Sequence, residues 1–194
     1  MDVSKIFDAL NDAQREAVGA TPGPMLVLAG AGSGKTRVLT YRIAYLVQAL
    51  QASPYSILAV TFTNKAASEM RRRIEDFLGF SVRGMWIGTF HGLSHRLLRD
   101  HHELAGLPSG FEILDSDDQY RVIRRALREM NLDEEHWPPR QVQWFINSQK
   151  EEGRRSAALH GTGDAHQQTL IRVYTHYEET CKRLGLVDFA ELLL

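Results

Sequence analysis

Ala29-Gly30-Ala31-Gly32-Ser33-Gly34-Lys35-Thr36 is the stretch that decides the fold. An apolar run, Met25 to Leu28, precedes it, and helically spaced apolar residues from Val38 to Leu50 follow it. Strand, glycine-rich loop and helix in this order are typical of a phosphate-binding loop. Glycines let successive backbone N–H groups converge on an anion, and the helix N-terminus adds partial positive charge at the same point.

Lys35 and Thr36 give this loop its chemistry. The Lys35 ammonium can reach the outer phosphates of a nucleotide, and the Thr36 hydroxyl can hold Mg²⁺. The usual pattern starts with glycine, and Ala29 stands in that place. A small side chain there still allows the turn. The alternative is a glycine-rich loop that binds no nucleotide, but the Lys-Thr pair and both flanks favour a nucleotide site. The predicted ligands are Ala29, Gly30, Ala31, Gly32, Ser33, Gly34, Lys35 and Thr36.

Composition limits the classes of protein that fit. The chain has 194 residues and 43% apolar content, which suits one or two small domains. The net charge of −1 excludes a general polycation, so any nucleic-acid contact must be local. A single cysteine excludes an intrachain disulfide. The sequence has no apolar run long enough for a bilayer and no signal peptide, so we expect a soluble cytoplasmic protein without membrane partners.

The first half of the sequence reads as an α/β layer. Ile57 to Phe62 predicts a continuously buried strand, a helix capped by Thr63 or Asn64 follows, and Met85 to Phe90 predicts another strand. Strands alternating with helices indicate a parallel sheet. The carboxyl ends of parallel strands share one edge, so residues 29–36, 61–65 and 88–92 are expected there together.

Strand signals fade after residue 91, and residues 95–185 read as all-helical. Ser116 with Gln119 resembles a capping box, and Gly185 is the natural stop of the last long helix. We therefore predict two domains, 1–92 and 93–194. Asp188 to Glu191 resembles the opening of a further helix that stops at Leu194, which suggests a piece of a longer protein.

Three other features have competing interpretations. His91 and His95 have a zinc-like spacing, but Gly-Leu-Ser between them and the lack of an evident third ligand argue against a metal. Cys181 lies on an apolar helix face and reads as a core thiol. Phe62, Phe90 and Phe189 suit either core packing or base stacking, and core packing is preferred for Phe90.

The motifs together resemble superfamily-one DNA helicases of the UvrD type. Five motifs carry the resemblance in order: Leu10–Val18, Ala29–Thr36, Thr61–Ala67, Gly88–Gly92 and Val187–Phe189. Trp137–Arg140 and Ile146–Lys150 also look like this family, so the resemblance spans the chain.

The resemblance implies half of a RecA-like, P-loop NTPase motor domain with a helical insertion. It implies ATP and Mg²⁺ as cofactors, with Lys35 and Thr36 as the catalytic ligands. Gln14 would read the adenine, Arg37 would stack on it and Arg73 would lie near the nucleotide. The single-strand track would consist of Phe62, Asn64, Thr89, His91 and Phe189.

The implied activity is ATP-driven 3′–5′ unwinding in DNA repair, with single-stranded DNA, single/double-strand junctions and repair proteins as partners. The sequence departs from the family because no apolar strand ending in Asp-Glu follows the loop; Asp115 is the nearest approach. The second motor domain and its arginine finger are also missing, so we expect little ATP hydrolysis by this chain alone. The alternatives are a nucleotide- or DNA-binding module without turnover and a Rep-like replication helicase; the Thr61–Ala67 and Gly88–Gly92 motifs argue against a kinase.

Overall fold

The computed structural model describes residues 4–159 and 164–194. They fall into two compact units that divide between Leu93 and Ser94. Residues 1–3 of the predicted first domain and 160–163 of the predicted second lie outside the described residues.

The first unit contains a short parallel sheet with helices around it. Its elements are α1 (Ser4–Phe7), α2 (Asp12–Gly19), α3 (Lys35–Gln48), β1 (Leu58–Thr61), α4 (Asn64–Leu78) and β2 (Trp86–Thr89). β1 and β2 pair in parallel, with Leu58 opposite Trp86 and Thr61 opposite Thr89. This confirms the predicted parallel strands at 57–62 and 85–90. Phe62 and Phe90 therefore leave the sheet at the same edge.

α4 shows why the chain folds locally in this way. The Thr63 hydroxyl accepts a hydrogen bond from the Ala66 N–H at 3.1 Å, as the predicted cap requires. Gly79, with φ 73°, ends the helix in the left-handed region. The buried face packs into a core formed by Ile43, Ala59, Met70, Ile74, Val82, Met85 and Ile87.

Two predictions about the sheet were wrong. Met25 to Leu28 forms no strand with any described segment, and Leu26 and Leu28 are 81% and 86% exposed. A strand is held by hydrogen bonds to the backbone of a neighbouring strand. Among the described strands, β1 and β2 pair only with each other, so residues 25–28 have no partner there. β1 is also not buried throughout, since Leu58 is exposed while Ala59 is buried.

The second unit is mainly helical. α5 (Phe90–Asp100) begins in the first unit and continues here, followed by β3 (Glu112–Leu114), α6 (Ser116–Glu129), α7 (Pro139–Glu151), α8 (Ala165–Leu184) and β4 (Leu186–Asp188). The main core comprises Leu114, Ile123, Leu127, Val142, Ile146, Val173, Tyr174, Tyr177 and Cys181. Cys181 is thus the core thiol that its helical position predicted.

The prediction of an all-helical second part was wrong. β3 and β4 form a parallel pair, and the Glu112 N–H donates to the Gly185 carbonyl at 2.9 Å. Gly185, with φ 67°, ends α8 as predicted and then turns the chain beside β3. Strands of three residues are too short for periodicity to reveal.

Two predicted helix starts also need correction. The α6 cap is Asp115, one residue before the predicted Ser116; its Oδ1 accepts from the N–H groups of Asp117 and Asp118 at 2.9 and 2.8 Å. Asp115 therefore serves as a helix cap. Residues 189–193 form turns instead of a helix, although Asp188 does accept from the Glu191 N–H at 2.8 Å.

Within the described ranges, no helix is long and apolar enough to cross a membrane. The same residues contain no group of three or more His, Cys, Asp or Glu side chains that could hold a metal ion. His95 instead accepts a hydrogen bond from Arg99 at 3.0 Å, and its ring packs edge-on against Phe111.

Candidate nucleotide and single-strand site

The glycine-rich loop opens α3 in a conformation that only glycine adopts easily. Gly32 and Gly34 have φ values of 75° and 85°, and Gly34 is the residue that precedes the helix. No described side chain caps this end, and the first turn has no acidic residue. The first N–H groups of a 14-residue helix thus face the loop without a capping partner, which suits an anion.

Lys35 lies folded against the loop. Its ammonium donates to the carbonyls of Ala29 and Gly30 at 2.8 and 2.7 Å, and the Ser33 hydroxyl donates to the Gly30 carbonyl at 2.7 Å. Ala29 contributes its carbonyl and not its side chain, which explains why alanine is accepted at the first loop position. Thr36 is exposed on the first turn of α3.

Gln14 connects α2 to the loop. Its Nε2 donates to the Ser33 carbonyl at 3.1 Å, while its Oε1 accepts from the Asn11 N–H at 3.2 Å in a capping box. A Cβ at Gly34 would lie 2.9 Å from Gln14 Nε2. The backbone angle therefore favours glycine at position 34, and a side chain there would displace the Gln14 amide. The side-chain amide of Gln14, which is predicted to read the adenine, thus lies beside the loop, and both its nitrogen and its oxygen form hydrogen bonds.

The two predicted arginines lie in different surroundings. Arg37 follows Thr36 on α3, and its guanidinium lies 5.5 Å from the centre of the Tyr41 ring. Arg73 pairs with Glu69 on α4, an i, i+4 spacing that is typical of ion pairs on a helix surface. Arg37 thus lies close to the loop in the chain but turns its guanidinium towards Tyr41, and Arg73 is held in an ion pair.

An exposed aromatic pair marks the carboxyl edge of the sheet. Phe62 is 93% exposed and Phe90 is 51% exposed, with ring centres 6.1 Å apart. The prediction that Phe90 packs in the core was wrong, because the helix start turns its ring towards Phe62. Rings exposed to this extent bury little apolar area, so packing does not account for them.

Polar residues accompany the aromatic pair. Asn64 is exposed at the first position of α4, and His91 is exposed in the first turn of α5. The Thr89 hydroxyl accepts from the Gly92 N–H at 3.1 Å. Phe189 belongs to the second unit, where it is half-exposed directly after the buried Asp188.

Residues 10–194 match the UvrD/REP helicase N-terminal domain. The chain belongs to the UvrD/REP helicase family. Over its whole length it is 62% identical to DNA helicase II of Salmonella typhimurium and 61% identical to DNA helicase II of Escherichia coli. It is 42% identical over 98% of its length to the ATP-dependent DNA helicase PcrA of Bacillus subtilis. The chain spans 27% of the length of each DNA helicase II.

Sequence reasoning missed a buried polar cluster in this UvrD/REP helicase chain. Lys150 and Asp188, with side chains 3% and 2% exposed, form an ion pair at 2.6 Å. Asp188 Oδ2 also accepts from the Tyr177 hydroxyl at 2.7 Å, and Lys150 contacts Glu191 at 3.0 Å. A signal was available: Val142, Ile146 and Lys150 recur every four residues, which places a lysine on a buried face.

The charge of Lys150 depends on these partners. Burial by itself lowers the pKa of this ammonium, but the carboxylates of Asp188 and Glu191 and their hydrogen bonds outweigh burial. The pKa of Lys150 therefore lies above its ordinary value, and the lysine is buried as a cation.

Proposed function

We propose that this chain is the nucleotide- and single-strand-binding part of an ATP-dependent DNA helicase that moves 3′ to 5′ along single-stranded DNA. The observation that carries the proposal is an exposed aromatic residue, Phe62, at the sheet edge of the same unit that presents Lys35 at an uncapped helix start. The uncapped helix start with Lys35 suits a phosphate, and the exposed Phe62 ring suits a base. The roles in DNA repair, at single/double-strand junctions and with repair proteins belong to the same proposal.

The nucleotide half of the proposal uses the loop. Phosphate oxygens replace the carbonyls that now hold Lys35, and the first-turn N–H groups of α3 supply further donors. Mg·ATP supplies a phosphoryl group whose charge the metal neutralises, and Thr36 would hold that metal. We assign the base contacts to Gln14 and Arg37, and Arg73 would approach the nucleotide once it leaves Glu69.

The DNA half uses the sheet edge. An aromatic face stacks on any base for about 1–3 kcal/mol without sequence preference. We assign this role to Phe62 at that edge and, in the second unit, to Phe189. We assign backbone contacts to Asn64, Thr89 and His91, whose amide, hydroxyl and imidazole groups suit phosphate oxygens. Half-exposed Phe90 supports the Phe62 ring from the side.

The proposed organisation assigns 1–92 to part of a RecA-like motor domain and 93–194 to an inserted subdomain. ATP hydrolysis in such enzymes needs an acidic metal ligand, and Asp115 is used as a helix cap instead. An arginine finger contributes a factor of about 10³–10⁵ in related NTPases. We therefore expect this chain to bind Mg·ATP and to hydrolyse it slowly, with or without single-stranded DNA.

The direct test is Lys35→Ala, with Lys182→Ala as a lysine control on the exposed end of α8. Lys35→Ala should weaken binding of a fluorescent ATP analogue with Mg²⁺ about tenfold or more, because a charge-assisted phosphate contact is lost. Lys182→Ala should leave that affinity unchanged. Equal affinities for Lys35→Ala and the unmodified chain would overturn the nucleotide assignment. Strong DNA-stimulated ATP turnover by the chain would show that an acidic site is present after all.

A further inference from the structure

We propose that Lys150 is a positioning residue for Phe189: it anchors the turn Asp188–Glu191 from inside the second unit and so sets how Phe189 meets single-stranded DNA. This inference rests on the proposed single-strand role of Phe189. Lys150 itself would contact neither DNA nor nucleotide and would act only through the position of Phe189.

The geometry of the anchor is two-sided. The Lys150 ammonium contacts Asp188 at 2.6 Å and Glu191 at 3.0 Å, and these are the first and last residues of the turn that carries Phe189. Asp188 Oδ1 accepts from the Glu191 N–H at 2.8 Å, which closes the turn on itself. One buried cation thus fixes both ends of a four-residue segment with a half-exposed ring inside it.

Further contacts hold the anchor in place. Asp188 Oδ2 accepts from the Tyr177 hydroxyl at 2.7 Å and from Gln119 Nε2 at 3.3 Å. Glu191 forms a second ion pair, with Arg155. Gln119, Lys150 and Tyr177 belong to α6, α7 and α8, so three helices converge on the turn, and Arg155 adds a contact from the α7–α8 connection.

A buried ion pair is a poor way to gain stability. Apolar side chains of the same volume are often as stabilising or more so, because burial of two charges costs desolvation. Its directed hydrogen bonds, by contrast, restrict geometry more closely than apolar packing does. A lysine buried against both ends of one turn therefore suits a positional role for that turn.

A double-mutant cycle on the 194-residue chain tests the inference. Single-stranded oligothymidylate binding is measured for the unmodified chain, Lys150→Met, Phe189→Ala and the double variant. Phe189→Ala should raise the Kd about tenfold. Lys150→Met should raise it about fivefold when Phe189 is present and less than about 1.5-fold when it is absent, because the effect of Lys150 passes through that ring. Equal effects of Lys150→Met in both backgrounds would overturn the positioning role.

A milder pair of variants covers the case in which Lys150→Met does not fold. Tyr177→Phe removes only the hydroxyl that donates to Asp188, whereas Tyr174→Phe removes a hydroxyl that donates to the Arg154 carbonyl at 3.0 Å. Both tyrosines are fully buried on α8, so similar losses in Tm are expected. Tyr177→Phe should weaken DNA binding about twofold and Tyr174→Phe should leave it unchanged. Equal DNA affinities for the two variants would overturn the inference.

The two proposals fail in different ways. If Phe189→Ala leaves DNA affinity unchanged, the DNA role of Phe189 is wrong, and the inference falls with it. If Phe189→Ala weakens binding but the Lys150 and Tyr177 variants do not, only the positioning role is wrong.

Discussion

Phe62 is a side chain whose contribution to function can be separated from its contribution to folding. Because the ring is 93% exposed, Phe62→Ala should leave Tm within about 1 °C while weakening single-strand binding by about 1–3 kcal/mol. The loss should be similar for thymine, cytosine and adenine oligonucleotides, since stacking needs only a base face. Fluorescence anisotropy and thermal unfolding measure the two effects.

Phe77→Leu provides the contrast, because Phe77 is partly buried and packs against the Tyr41 ring at 4.4 Å between centres. It should lower Tm and leave DNA affinity alone. A Phe62→Ala variant that loses stability but keeps its affinity would place Phe62 in the core and contradict the stacking role.

Burial lowers the reactivity of the Cys181 thiol. Burial, the largest influence, raises the pKa of its thiol to about 11. The reactive thiolate is favoured only above that pH, so at pH 8 a maleimide should modify the native chain far more slowly than the chain in denaturant. Mass spectrometry of the labelled chain measures this. Rapid native labelling at pH 8 would contradict the buried position.

At the scale of elements, Gly185 joins α8 to β4 and should tolerate no side chain. Its φ is +67°, and a Cβ there would lie 2.6 Å from Pro108 Cγ. Gly153 follows α7 with a similar φ of +75°, but a Cβ there meets no described atom within 4 Å. Both alanine variants incur left-handed strain of about 1–2 kcal/mol, and Gly185→Ala adds overpacking of about 1–3 kcal/mol.

Urea unfolding of the two glycine variants measures the difference, since both residues belong to the second unit. Equal midpoints would mean that Pro108 moves aside without cost and that the β3–β4 pair does not depend on close packing at Gly185.

Elements with their own local signals were predictable. α4 has a cap, an apolar face and a terminal glycine, and β1 and β2 have apolar runs beside turns, so all three were expected where they occur. β3 and β4 were not, because three residues carry no period and their pairing joins positions far apart in the chain. The strand expected at Met25–Leu28 failed for the opposite reason: the local signal is present and the partner is missing from the described residues.

At the scale of the whole molecule, charge limits how DNA can be held. The chain has 23 Lys and Arg against 24 Asp and Glu, so no general attraction to phosphate is available. Stacking and a few polar contacts should dominate instead. The logarithm of the single-strand binding constant should fall with the logarithm of salt concentration at a slope between about −1 and −3.

Titration of oligothymidylate binding between low and high salt measures that slope. A slope steeper than about −5 would contradict the expectation, because it would require a long basic track that releases many counterions.

In the candidate site, as in the fold, features formed by contiguous residues were easier to predict than contacts between distant positions in the chain. The glycine-rich loop at the start of α3 could be predicted because contiguous residues form it, and the resemblance directed attention to Gln14, which contacts Ser33 in that loop. The Lys150 anchor could not be predicted, since Asp188 lies 38 residues further along the chain. A lysine on a buried helical face must have polar or acidic partners, but the sequence does not identify which residues they are.

The exposed run at Met25–Leu28 leads directly into the phosphate loop. Its amide groups have no strand partner among the described residues, so their protons are open to solvent while those shared by β1 and β2 are protected. Hydrogen exchange would therefore be fastest on the loop's incoming side and slower in α3 on its outgoing side. No described strand holds the incoming flank of the loop. A ligand that binds the loop must therefore order this flank, and the entropy lost in that ordering reduces the net free energy of binding.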